Sequence, residues 1–360
     1  MTSRTKGSVR IVGAGLLGTS IGLALNKLGI DVILVDQSPG VQSLAIDYGA
    51  GRAEKPEDQP SVVVVCVPPD VTAKVVAQQI EQFPNAVVTD VASVKSRILT
   101  ELQSAGAALK HYVGSHPMAG RERGGAASGR ADLFAGRVWV VSPNEQSKPE
   151  AIKVVEDLAL DLGSAVIQVS AIEHDRAVAA VSHVPQLVAS LTAATLLDAH
   201  AADIELAGQG IRDTTRIAAS DPRLWLQILT ANSEQVVRVL KSFQGQLDTV
   251  ITALEDTDAP GALSSISNAL SNGNLGVAKL PGKHGSKATN YSLLTVMIDD
   301  KPGELARLLT EIGEIGVNLE EIKLEHSPSS AVGLVEVSVL PDAEEKLTAE
   351  LLSRNWKLVG

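Results

Sequence analysis

Between a β-branched run and an amphipathic stretch the chain reads VRIVGAGLLGTSIG, and this segment restricts the possible folds most. Gly13, Gly15 and Gly18 stand in G-x-G-x-x-G spacing. In a strand–turn–helix unit the first glycine permits the tight turn and the second lets a pyrophosphate approach the backbone. The third lets the helix pack closely on the strand. Leu16 and Leu17 then offer free N–H groups at the helix start, where phosphates are favoured. Asp36 closes the second strand-like run and is followed by Gln37 rather than an arginine. A carboxylate there accepts hydrogen bonds from ribose hydroxyls and repels a 2′-phosphate. The combination predicts NAD in preference to NADP.

The rest of the first 170 residues repeats the strand–helix theme. Strand-like runs fall at Val9–Val12, Val32–Val35, Val62–Val67, Ala86–Val91, Val138–Val141 and Val166–Val169. Amphipathic stretches such as Leu16–Leu28 and Val71–Gln82 separate several of them. Short apolar strands alternating with helices predict an α/β, doubly wound Rossmann-type domain over residues 1–170, its parallel sheet covered on both faces. From Ala171 the strand signals stop, and Asp175–His200 and Leu224–Asp256 read as long helices. In the second, Leu229, Val236, Leu240, Phe243, Leu247, Val250 and Leu254 form a stripe at helical spacing. Residues 171–272 are therefore expected to be an all-α domain whose stripe packs against a second subunit. Residues 273–290, GNLGVAKLPGKHGSKATN, read as a linker. Residues 291–360 follow a βαββαβ order, compatible with a ferredoxin-like α+β domain.

Composition removes several function classes. The formal net charge is −11 and aromatics are only 2% of the chain, which argues against a nucleic-acid partner. The single cysteine, Cys66, allows no internal disulfide or cysteine-rich metal site, and its setting in VVVVCVP suits inert packing. No metal is expected. The start of the chain carries no apolar leader, and no run reads as a membrane span. These features predict a soluble, cytoplasmic protein without a membrane partner.

Candidate chemistry lies where strands end. VVTDVASVK places Asp90, Ser93 and Lys95 at or just past a strand's C-terminal end, the ligand-binding edge of an open α/β sheet. Ser93 could equally cap the next helix. In VGSHPMAGRERGG, His116 follows another short strand and should reach the same edge. It could be a structural turn residue or a general base, since an imidazole suits proton transfer near neutral pH. AVSHVPQL sets His183 and Gln186 one turn apart. GIRDTTRIAASDPRLW supplies Arg212, Asp213, Arg216, Asp221 and Trp225. An arginine here could clamp a carboxylate with its planar fork or sit in a surface ion pair. Near the C-terminus, DDKPGEL puts Gly303 in a turn before a helix, with Asp300 close by and Asn318 farther on. Such a turn could take the carboxylate and ammonium of a free amino acid.

Taken together, GAGLLGTSIG, TDVASVK, GSHPMAGRE, VSHVPQ, RDTTRIAASDPRLW and IDDKPGELARLL fall in order over almost the whole chain. They resemble the prephenate dehydrogenases of tyrosine biosynthesis, in the subgroup with a C-terminal ACT domain. The resemblance implies NAD-dependent oxidative decarboxylation of prephenate to 4-hydroxyphenylpyruvate. It also implies a homodimer formed through the helices. By match to the family motifs, His116 accepts the proton of the ring hydroxyl and Ser93 orients that hydroxyl. Arg216 holds a substrate carboxylate, Glu122 gates or tunes the site, and His183, Gln186 and Trp225 line it. The ACT resemblance makes Asp300, Gly303 and Asn318 an effector site, with tyrosine the natural candidate. Gln186 stands where some relatives carry a second histidine, which leaves arogenate open as the substrate. A β-hydroxyacid-type dehydrogenase would need a lysine on the helical domain, and none occurs from Ile172 to Leu240. A non-catalytic amino-acid and dinucleotide sensor is the alternative from another class.

Overall fold

The computed structural model describes residues 3–121, 124–280, 291–326 and 332–359. The chain divides into two compact units, residues 1–244 and 245–360, with the division inside the helix Ser233–Glu255.

The first unit is built on eight strands: β1 (Val9–Val12), β2 (Val32–Val35), β3 (Arg52–Ala53), β4 (Val62–Val65), β5 (Val87–Asp90), β6 (Tyr112–Pro117), β7 (Val138–Pro143) and β8 (Ala165–Gln168). Their order is β3-β2-β1-β4-β5-β6-β7-β8. The alternation along β4 shows how the sheet is covered. Val62 and Val64 enter one hydrophobic core, while Val63 and Val65 enter another on the opposite face. That two-sided burial is why the strand reads as an unbroken apolar run.

The expectation of a parallel sheet needs one correction: β6 and β7 pair antiparallel. Among the described residues between them there is only a short 3-10 turn, Ala126–Ser128, and a parallel return would need a longer crossover.

The helical part departs further from the sequence reading. Ala171–Asp198 is a continuous helical run containing a π-turn at Ala179–His183. It starts before Asp175 because Ser170 and Glu173 form a reciprocal capping box. The π-turn leads into the helix Val184–Ala194, whose second residue, Pro185, lacks the N–H of a regular helical bond. By length and composition alone this run could cross a membrane, a test that the core helix of a soluble protein also passes. Its His174, Asp175 and His183 are nonetheless buried and bonded within the protein.

The expected helix Leu224–Asp256 is two helices, Pro222–Ala231 and Ser233–Glu255. Asn232 sits at the break, and its amide Nδ2 donates to the Asp175 carbonyl at 2.8 Å. The apolar stripe is only partly covered. Val236 is buried against Ala179 and Val184, whereas Phe243, Leu247 and Leu254 are exposed.

In the second unit the helix Ala262–Val277 runs into the stretch read as a linker from Gly273. Beyond it come β9 (Ser292–Asp299), the helix Glu304–Ile315, β10 (Glu321–His326), β11 (Val332–Val339), the helix Pro341–Ser353 and β12 (Lys357–Val359). The strands pair antiparallel in the order β10-β11-β9-β12, which is the βαββαβ unit expected. Val296, Leu308, Val335, Val337, Leu347 and Leu351 are fully buried between sheet and helices.

Candidate active site

The glycine turn after β1 has the geometry its spacing predicts. Gly13 has φ +102°, and a Cβ there would meet the Cys66 carbonyl oxygen at 2.4 Å. A Cβ on Gly18 would meet the Gly13 oxygen at 1.9 Å, so both positions admit only glycine. Around Gly15 a Cβ would meet nothing within 4 Å, which leaves open ground above the turn. Leu16 starts the helix Leu16–Lys27 with no side-chain cap, so the first-turn N–H groups at Leu16, Leu17 and Gly18 are available to phosphate oxygens. Cys66 follows β4, and burial pushes its thiol up, as expected of a packing residue.

Asp36 holds this turn as well as facing it. Its Oδ2 accepts from the Ala14 N–H at 2.7 Å and its Oδ1 from the Ser38 N–H at 2.8 Å. The residues present therefore fit NAD. Asp36→Ser combined with Gln37→Arg is expected to shift the kcat/KM ratio towards NADP⁺. Asp36→Ala alone should weaken both cofactors by freeing the turn. Equal use of both by the unmodified protein would contradict this role.

β5 ends at Asp90, in register with Gly114, while β6 runs on to Pro117, so His116 lies within β6, two residues beyond the end of β5. Beneath it is a buried polar cluster. The Lys95 ammonium pairs with Asp90 and donates to the Ser115 carbonyl at 2.7 Å. The Tyr112 hydroxyl donates to Asp90 Oδ2 at 2.8 Å, and Ser115 Oγ donates to the Asp90 carbonyl at 2.7 Å. Lys95 and Asp90 are 2% and 0% exposed, so each charge depends on the other. Burial lowers the Lys95 ammonium from its ordinary value, while Asp90 opposes that shift. Burial and the Asp90 carboxylate drive the Tyr112 phenol well up.

The helical run meets this edge at His174 and Asp175. His116 Nδ1 lies 2.9 Å from His174 Nε2, and His174 Nδ1 lies 2.8 Å from Asp175 Oδ1. Asp175 also accepts the N–H groups of Lys95 and Ser96, each at 2.8 Å. Burial alone would raise the Asp175 carboxyl. Hydrogen bonds from His174, Ser96 and Lys95 outweigh that and hold it below its ordinary value. For His116, burial acts first, with His174, Lys95 and His183 adding to it, and the imidazole falls well below 6.5.

His183 is buried, and that burial lowers it to about 4, so it is neutral at pH 7. Asn232 Nδ2 lies 3.2 Å from its Nδ1. An amide N–H there makes Nδ1 an acceptor, which puts the His183 proton on Nε2. Trp225 stands edge-on to this ring, with centroids 6.1 Å apart.

The remaining predicted residues sort clearly. Ser93 is partly buried on the loop between Asp90 and Lys95, and it does not cap the next helix, because Asp175 takes the first N–H groups. Gln186 is buried and donates from Nε2 to Ser190 Oγ at 3.4 Å. Arg216 is exposed at the start of the 3-10 turn Arg216–Ala218, which packs on the helix Val184–Ala194. Among the described residues it has no ion pair, unlike the surface pair that was its alternative reading. Glu122 lies outside the described residues.

In the second unit Gly303 has φ +94° at the start of the helix Glu304–Ile315, and Asp300 is exposed beside the turn. Asn318 precedes β10 rather than opening it, and its amide donates to Glu320 at 2.9 Å.

Sequence reasoning missed Tyr112, His174, Asp175 as a ligand of the helix start, and Asn232. One signal was present: SAIEHD is a capping box followed at once by a His–Asp pair.

Comparison with known proteins identifies the family. The family model described as prephenate dehydrogenase, nucleotide-binding domain, matches residues 21–168. That described as prephenate dehydrogenase, dimerization domain, matches residues 170–267. The chain is 34% identical over 353 residues to the Streptomyces niveus protein named probable prephenate dehydrogenase NovF, covering 96% of this chain and 98% of that one. It is similar to the crystal structure of prephenate dehydrogenase from A. aeolicus in complex with hydroxyphenyl propionate and NAD⁺. There the TM-score is 0.67 at 25% identity, over 76% of this chain and 99% of that one. The Synechocystis arogenate dehydrogenase structure gives a TM-score of 0.63 at 25% identity, over 74% and 99%. The chain belongs to the prephenate dehydrogenase family of NAD-dependent oxidoreductases.

Proposed function

We propose that this protein oxidatively decarboxylates prephenate to 4-hydroxyphenylpyruvate, with His116 as the general base. The observation that carries the reading is a partly buried histidine, kept neutral at the sheet edge and bonded into buried polar groups. NAD⁺, when bound, accepts hydride from the ring carbon that bears the hydroxyl. His116 takes the hydroxyl proton as that carbon becomes a carbonyl. The C–CO₂ bond then breaks, its electron pair enters the ring, and the oxygen recovers a proton from His116 as the ring becomes aromatic. The products are 4-hydroxyphenylpyruvate, CO₂ and NADH, and His116 ends as it began. The test is NADH formation with prephenate and, in parallel, with arogenate. A faster reaction with arogenate would favour the second reading, which Gln186 supports by replacing the histidine found in some relatives. Ser93, on the loop between Asp90 and Lys95, would orient the reacting hydroxyl. His183 and Trp225 would line the site, and Glu122 would gate it.

Arg216 would hold a substrate carboxylate, consistent with a guanidinium that has no ion-pair partner among the described residues. Hydrogen bonds to charged groups contribute roughly 1.5–3 kcal/mol. Arg216→Ala should therefore raise KM by about 10- to 150-fold and leave NAD⁺ affinity unchanged. An unmoved KM would remove Arg216 from the site.

The exposed Phe243, Leu247 and Leu254 support a homodimer that covers the rest of the stripe. The C-terminal βαββαβ unit supports an ACT-type domain with an amino-acid effector, tyrosine first, held near Asp300, Gly303 and Asn318. Tyrosine should inhibit the full chain, while Gly303→Asp should abolish inhibition by opposing the effector carboxylate. Equal inhibition of that variant would assign tyrosine to the active site.

A further inference from the structure

We infer that His174 is a positioning residue for the base: with Asp175 it fixes the tautomer of His116 and shares the charge that His116 acquires in the reaction. The inference rests on the reading of His116 as general base, and it follows from the order of contacts. Asp175 is held as a carboxylate by the Lys95 and Ser96 N–H groups, so it can only accept. The His174 Nδ1, 2.8 Å from Asp175 Oδ1, must then carry a proton. In a neutral imidazole the other nitrogen is an acceptor. His174 Nε2 thus accepts from His116 Nδ1–H at 2.9 Å, which leaves Nε2 of His116 as its unprotonated nitrogen. The free base position is dictated from the helical run, two contacts away.

The groups facing His116 are His174, Lys95 and His183, with Asp175 behind His174 and Asp90 behind Lys95. Lys95 disfavours a second positive charge on His116, and among the described residues Asp175 is the carboxylate that reaches it through His174. When His116 Nε2 takes the hydroxyl proton, its Nδ1–H bond to His174 becomes charge-assisted and so stronger, with the Asp175 carboxylate behind it. The proton returns from Nε2 at decarboxylation, so the pair needs no outside donor. His183 has the opposite tautomer, with its proton on Nε2. The site thus presents one ring as acceptor and the other as donor, which suits a hydroxyl that must lose its proton beside a group that must be held.

The test has a direct and a kinetic arm. Long-range ¹H–¹⁵N spectra of histidine-labelled protein at neutral pH should show His116 protonated on Nδ1 alone. Protonation on Nε2 instead would overturn the inference, whatever the substrate proves to be. In the kinetic arm, His174→Ala should lower kcat by about 10- to 100-fold, the usual effect of losing a group that orients a functional histidine. His174→Gln, whose carbonyl oxygen can still accept from Nδ1–H, should recover part of that loss. In a His116→Asn background, His174→Ala should cost nothing further, because residues acting as a unit are not additive. Multiplying losses, or no difference between the Gln and Ala variants, would make His174 merely structural. Absence of NADH formation from prephenate and arogenate alike would overturn the proposed function instead, and the spectra would still decide the tautomer.

Discussion

His116→Asn is expected to lower kcat by about 10²–10⁴, the usual contribution of a positioned acid–base group. Asparagine can preserve a hydrogen bond to the substrate hydroxyl, but it cannot take the proton, so KM should change little. The pH profile gives an independent check. Burial, reinforced by His174, Lys95 and His183, keeps the His116 imidazole well below 6.5 in the free protein. The base is then deprotonated at neutral pH, and kcat/KM should stay level as pH falls through 6.5. The drop should come only at lower pH, where the folded protein finally binds the proton. In the asparagine variant that acid limb should vanish. A kcat within twofold of the unmodified protein would remove His116 from the base role.

The parts of this site that were legible in the sequence are those set by local rules. The glycine turn could be read because steric limits at Gly13 and Gly18 act within one strand–turn–helix. His116 could be placed at the sheet edge because it follows a short strand-like run, which is the part of β6 that pairs with β5. The break at Asn232 could not be read, since the stripe from Leu229 to Leu240 continues across it in helical phase. What interrupts the helix is a bond to the Asp175 carbonyl, 57 residues away in the chain. The His116–His174 contact spans 58 residues and is likewise a product of packing. Long-range polar pairing leaves no periodicity, so only its endpoints, such as the EHD triplet, can be seen in the sequence.

That same pairing predicts the largest stability effect. Asp90→Ala should destabilise the protein by about 3–5 kcal/mol, because it strips the partner from a buried ammonium. Lys95 is 2% exposed and has no water-facing route for its charge. The change would also orphan the Tyr112 hydroxyl, which donates to Asp90 Oδ2 at 2.8 Å. With the carboxylate gone, the larger opposing influence on Lys95 disappears, only that of Asp175 remains, and burial lowers its pKa further. The variant should therefore be relatively less destabilised at high pH, where Lys95 can bury as a neutral amine. Urea unfolding at two pH values would measure both effects. Adding Lys95→Met should recover much of the loss, since a buried ion pair replaced by apolar groups of similar volume is often neutral. The double variant separates stability from function, because the Lys95 bond to the Ser115 carbonyl adjoins His116. A double variant that regains stability but remains slow would mean that the ion pair is kept to hold the catalytic strand end. A loss under 1 kcal/mol for Asp90→Ala would show instead that Lys95 finds another partner or sheds its proton at little cost.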